Sequence, residues 1–186
     1  MLWAEMPGPA SSTGTILSTG MVAQEPFVWP VSTMVGGRHI KIVSKFGRRR
    51  VPVIPGIDTS TVVVPAEELH EGVDFGVPAD SLVRSARSGK VIFVGFSNAY
   101  ASRKDKKDKN HLVIVRHADG KSTRYVHLDR LLVRPGQEVK AGDTLGKSSE
   151  SDEWTEPVVH FEIRESNGKA LDPMTFLAEP QKEQAP

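Results

Sequence analysis

The 186 residues carry 24 Lys and Arg against 23 Asp and Glu, a formal net charge of +1, with 38% hydrophobic side chains. That supplies one domain with a real core, and the near-balance of charge gives no global field for nucleic acid. The absence of cysteine excludes disulfides and thiolate metal sites and leaves the redox compartment open, and no run approaches the roughly 18 apolar residues of a membrane span.

Residues 1–26 are rich in Gly, Ser, Thr, Pro and Ala without a period, and read as a flexible or docking arm. Their start has neither a basic n-region nor a continuous apolar h-region, so no signal peptide is expected there. From Phe27 to Val43 the stretches FVWPV and HIKIV, broken by Pro30 and Gly36-Gly37, predict short edge strands and loops. The basic triplet Arg48–Arg50 is expected as a solvated turn, with a substrate or partner contact as the alternative.

Thr61–Val64 is a β-branched strand, and Leu82–Arg84 and Lys90–Phe96 are strands joined by a turn at Ser88-Gly89. Residues Ala101–Asn110 carry an excess of positive charge and read either as a solvated hairpin tip or as a basic wall beside an acidic substrate. His111–Arg116 and Ser122–Leu128 are strands around a turn at His117–Lys121. Alternation puts Thr123, Tyr125 and His127 on one face, so Tyr125 and His127 are expected to look into the same pocket. From the strand alone, His127 reads equally well as a packed imidazole. His111 and His117 are expected to be structural, and His39 falls outside any motif.

Leu131–Gly146 has two glycine turns around a short strand, a pattern shared with the barrel-sandwich lipoyl and biotinyl carriers. A carrier needs a modified lysine at a tight hairpin, and none stands between Gly89 and Arg134. Ser148–Glu156 is an acidic loop in which Trp154 forms a groove wall or a packing anchor. Leu171–Leu177 closes the domain, and residues 179–186 are a polar tail. Short strands with Gly- and Pro-rich turns, and no apolar period of helical length, predict an all-β fold of antiparallel sheets.

The chemistry centres on Glu156–Arg164, EPVVHFEIR, which reads as a half-buried strand. Val159, Phe161 and Ile163 form a core face, while Val158, His160 and Glu162 form the other. His160 needs a partner, either a backbone or carboxylate hydrogen bond or a metal. His70 and Asp74 in HEGVDF are four apart, with Gly72 between them to let the backbone turn tightly, so their side chains can converge. His70, Asp74 and His160 together make three protein ligands, which for zinc leaves a fourth position open, the catalytic arrangement.

HEGVDFGVPAD, RYVHL, VVHFE and LDPMTFL, in this order, resemble the lysostaphin-type (LytM) zinc metallopeptidases that cut peptidoglycan peptides. The resemblance runs over about residues 27–178. It implies a barrel-sandwich-like LytM domain with zinc held by His70, Asp74 and His160 and a catalytic His127, and Tyr125, expected on the same strand face, would add a hydrogen bond to the reaction. The family pattern HxHFE departs here, because its first histidine is Val158. The resemblance therefore implies either attenuated cleavage of peptidoglycan or an inactive module that keeps its metal. An enzyme of this kind must reach the cell wall. With no export signal expected, the arm suggests a phage-tail component docked to tail proteins in the virion, or else a periplasmic or envelope enzyme whose signal was trimmed.

Overall fold

Fourteen strands make up the computed structural model, which describes residues 25–50, 67–96, 111–150 and 157–177. They are β1 (Met34–Val35), β2 (Arg38–His39), β3 (Lys41–Ser44), β4 (Gly47–Arg50), β5 (Glu67–His70), β6 (Val73–Gly76) and β7 (Leu82–Arg84). There follow β8 (Gly89–Phe96), β9 (His111–Arg116), β10 (Ser122–Leu131), β11 (Glu138–Val139), β12 (Thr144–Ser148), β13 (Val158–Arg164) and β14 (Ala170–Leu171). A 3-10 turn at Pro173–Thr175, capped by the Asp172 carboxylate, is the only helical element among the described residues. The domain is all-β, and all its paired strands run antiparallel.

Ten strands form one sheet whose main path runs β11-β8-β9-β10-β13-β6-β3, with β12, β7 and β14 attached beside it. Its inner face holds the core, including Val73, Phe75, Val113, Val115, Tyr125, Leu128, Phe161 and Ile163. These are the alternate, β-branched or aromatic positions that fit a pleated surface. The β3–β6–β13 row leaves Ser44, Asp74 and His160 side by side, since Ser44 pairs with Asp74 and Asp74 with His160.

Strand β13 departs from the half-buried expectation. Every residue from Val159 to Ile163 is buried, so its polar face is covered as well as its apolar one. Arg48–Arg50 is not a solvated turn but part of β4, which pairs with β5 in the register Arg48↔Leu69, Arg49↔Glu68 and Arg50↔Glu67.

Strand β10 changes partner midway. Ser122–Val126 pairs with β13 and Leu128–Leu131 with β12, and on the β9 side Val126↔Leu112 is followed directly by Leu128↔His111. His127 is the extra residue of a β-bulge, and its φ of 63° lies in the left-handed region. The expected strand at Thr61–Val64, the basic stretch at Ala101–Asn110, Trp154 and the polar tail lie outside the described residues, as does all but the last two residues of the arm.

Candidate metal centre

Three short elements deliver the polar groups. His70 ends β5, Asp74 sits in β6 two residues past the connecting turn, and His160 lies across from Asp74 on β13. Their donor atoms converge: Asp74 Oδ1 is 2.7 Å from His160 Nδ1 and 3.2 Å from His70 Nε2, and the two imidazole nitrogens are 3.1 Å apart. Gly72 makes the approach possible, though not through its turn. A Cβ at that position would stand 2.4 Å from the Phe161 carbonyl oxygen and 2.7 Å from His160 Cε1.

Each imidazole is oriented from behind. His70 Nδ1 donates to the Lys45 carbonyl at 2.8 Å, with Ser44 Oγ at 3.2 Å, which leaves the Nε2 lone pair aimed at the convergence point. His160 Nε2 donates to Glu162 Oε1 at 3.1 Å and so turns Nδ1 the same way. Glu162, only 1% exposed, accepts from Arg164 Nε at 2.6 Å and lies 3.8 Å from Arg124 Nε. Arg164 also reaches Glu71 at 2.6 Å, tying the end of β13 to the turn that follows His70.

The electrostatics call for positive charge at the centre. Burial alone would depress His160, but hydrogen bonds to Asp74 and Glu162 outweigh it and push the pKa up to about 9. Burial would likewise raise Asp74, yet its hydrogen bonds to His160 and His70 hold its carboxyl far below the ordinary range. For an ion with ligands at about 2.0–2.2 Å in a tetrahedron, donors stand roughly 3.3 Å apart. The observed spacings, with two imidazole nitrogens and one carboxylate oxygen facing inward, fit such an ion, which would displace the proton His160 shares with Asp74. His70, Asp74 and His160 are also the one group among the described residues that could hold a metal.

The centre opens into a cleft of about 280 Å³ lined by Arg49, Glu68, Leu69, His70, Glu71, Asp74, His127, His160 and Glu162. The bulge turns His127 toward it, with its ring centroid 6.4 Å from that of His160. Tyr125 does not join it. The bulge breaks the alternation between the two residues, and Tyr125 is fully buried in the core. Its hydroxyl accepts from the Ala86 N–H at 2.7 Å and pairs with Thr123 Oγ1 at 2.9 Å. The expectation of a shared pocket is thereby corrected.

Two lining residues were missed from the sequence. Glu162 was placed beside His160 without a role, although its i,i+2 spacing on one strand face is itself the signal. Arg49 belongs to the triplet expected as a solvated turn or a substrate or partner contact, and its guanidinium donates from Nε to Glu68 at 2.7 Å and from Nη1 to Ser44 Oγ at 2.9 Å. Nη1 also lies 3.8 Å from Asp74 Oδ2. His117 is structural, as expected. Its two nitrogens bond the Ser88 carbonyl and Thr123 Oγ1, and burial keeps its pKa below the ordinary value.

The profile of Peptidase family M23 matches residues 68–173, more than half of the chain and the whole span from His70 to His160. The chain belongs to peptidase family M23. This membership sets aside the carrier alternative. Peptidoglycan DD-endopeptidase ShyB of Vibrio cholerae is 37% identical over 123 residues, covering 66% of this chain and 25% of that protein. Among solved structures, a zinc containing peptidase from Vibrio cholerae superposes with a TM-score of 0.59 at 28% identity, covering 81% of this chain and 40% of that one. The catalytic domain of lysostaphin from Staphylococcus simulans gives 0.54 at 30% identity, with 74% and 91% covered. The chain spans less than half of the length of the curated relatives it matches here, 25%, 33% and 45% for three of them. Some relatives are named as lipoproteins, and among the described residues no helix is long and apolar enough to cross a membrane.

Proposed function

We propose that this M23 domain is a zinc-dependent endopeptidase acting on peptidoglycan peptides at the cell envelope. The observation that carries the reading is the convergence of His70 Nε2, Asp74 Oδ1 and His160 Nδ1 at the floor of an open cleft beside His127. A zinc ion there would polarise an amide carbonyl and make water a stronger acid. The side chains supply the rest. Glu162 and the Lys45 carbonyl keep the two imidazoles facing inward, and Arg164 keeps Glu162 ionised beneath them. His127 takes a proton from the attacking water through a ring nitrogen and passes it to the departing amine as the C–N bond breaks. Its strained φ, which costs about 1–3 kcal/mol in such regions, supports a functional reason for its position.

Val158 favours a second reading, an inert module that keeps its metal. A valine two residues before His160 can neither donate nor accept a proton, and losing one such donor costs about 100- to 1000-fold in rate. Against accelerations of at least a millionfold, that slows the reaction without abolishing it. The test is zinc content and digestion of purified peptidoglycan by wild type, His160→Ala and Val158→His. Zinc-dependent cleavage above the His160→Ala control supports the enzyme. No cleavage by wild type and none gained by Val158→His supports the module. Delivery by a phage tail through the arm at residues 1–26 is a separate proposal to which the comparisons lend no support; presence in purified virions tests it.

A further inference from the structure

Arg49 stands on the wall of the cleft across from His127. In the sheet order β10-β13-β6-β3, His127 borders His160 on the β10 side, while Arg49 meets Asp74 and Ser44 on the β3 side. The two residues therefore flank the metal centre from opposite directions. Arg49 comes from β4, outside the matched span of residues 68–173.

Two of the guanidinium's three nitrogens are engaged. Nε is held by Glu68 and Nη1 by Ser44, at 2.7 and 2.9 Å, so the planar fork is fixed rather than swinging in solvent. Nη2 makes no hydrogen bond among the described residues, and the side chain lines the cleft at 42% exposure. Pre-set N–H donors aimed where charge develops are the arrangement that stabilises an oxyanion. A guanidinium cannot act as a base, so Arg49 could donate but never relay a proton.

We propose that Arg49 is a catalytic residue whose Nη2 donates to the negative oxygen that develops on the scissile carbonyl, supplying the donor that Val158 cannot. This rests on the endopeptidase reading and deepens it. The carbonyl carbon gains a bond to water oxygen, its π electrons move onto the carbonyl oxygen, and Arg49 binds that oxygen until the C–N bond breaks and the electrons return.

The experiment uses the zinc-loaded full chain with a peptide substrate and a matching phosphinate peptide, whose tetrahedral anionic group imitates the charged oxygen. Arg49→Met should lower kcat about 100- to 1000-fold. It should weaken phosphinate binding by a similar factor and change KM by only a few-fold, with zinc content and Tm retained. Arg49→Lys should recover a minor part, and in a Val158→His background the Arg49→Met loss should shrink to less than about 10-fold, because the introduced imidazole then shares the task. A rise in KM as large as the loss of phosphinate binding, loss of zinc in Arg49→Met, or no change at all would each overturn the assignment. If wild type neither cleaves the peptide nor binds the phosphinate, the endopeptidase reading falls and takes Arg49 with it. If wild type does both and Arg49→Met matches it, Arg49 alone is excluded.

Discussion

Adding one methyl group at Gly72 should break the metal centre without touching a ligand. The new Cβ would sit 2.4 Å from the Phe161 carbonyl oxygen, 2.7 Å from His160 Cε1 and 2.8 Å from His160 Nε2. Contacts of that length must open by nearly an ångström. The carbonyl belongs to a central strand, and the imidazole is pinned by Asp74 at 2.7 Å and Glu162 at 3.1 Å, so neither can yield cheaply. Overpacking of this kind costs about 1–3 kcal/mol, which lowers Tm by roughly 2–12 °C in a domain of this size. The part of the shift borne by the His160 ring should weaken metal binding about 10- to 100-fold, as disturbance of supporting groups does elsewhere. Thermal unfolding with and without zinc, and zinc competition against a chelator, measure the two effects. Gly136→Ala is the control. It strains a backbone with φ of 87° but meets no atom within 4 Å, so it should lower Tm while leaving zinc affinity alone. If Gly72→Ala holds zinc as tightly as wild type, the close-approach argument is wrong.

Glu162→Gln removes the buried anion shared by His160 and Arg164, and should lower zinc affinity about 10- to 100-fold in chelator competition; an unchanged affinity would show that Glu162 does not orient the ligand. Tyr125→Phe leaves the buried Ala86 N–H without its acceptor and should cost about 1–3 kcal/mol in urea unfolding. Zinc content and kcat should stay as in wild type, and a tenfold fall in kcat would return Tyr125 to the chemistry. Asp119, its side chain 9% exposed and 2.8 Å from Arg87, has its pKa held down at about 2 from 3.8, because hydrogen bonds from Arg87 and Lys121 outweigh the opposing effect of burial. A lowered carboxyl stabilises the fold fully above the unfolded value and loses that contribution as pH falls through the folded one. The stability gap between wild type and Asp119→Asn, about 2 kcal/mol at neutral pH, should close between pH 4 and 2. A gap independent of pH would locate the effect in packing.

Alternation and turn residues made most strands legible, β7 to β10 and β13 above all, and the converging trio was readable because HEGVDF and VVHFE place like-facing polar groups at fixed spacings. What failed was phase. The single extra residue at His127 leaves no mark in composition, so counting by twos carried Tyr125 to the wrong side of the sheet. Arg49 was missed for another reason. Three arginines in a row look solvated until their partner strand is known, and that partner, with Glu67 and Glu68, lies beyond an intervening stretch. Complementary charge between GRRR and EELH was the available clue. The role of Gly72 was hidden too, since what it avoids belongs to β13, about ninety residues away in the chain.

The bulge in β10 also separates the residue that faces the cleft from the register that carries it. Before it, Tyr125 is inside and Val126 faces the other way; after it, Leu128 is inside and Asp129 is exposed. Because Val126↔Leu112 is followed directly by Leu128↔His111, a strand lacking His127 would alternate without interruption and still bury Leu128. A one-residue deletion at the bulge should therefore keep the fold and lose the side chain that faces the cleft. A one-residue insertion there must instead widen the bulge or exchange inside for outside as far as Leu131.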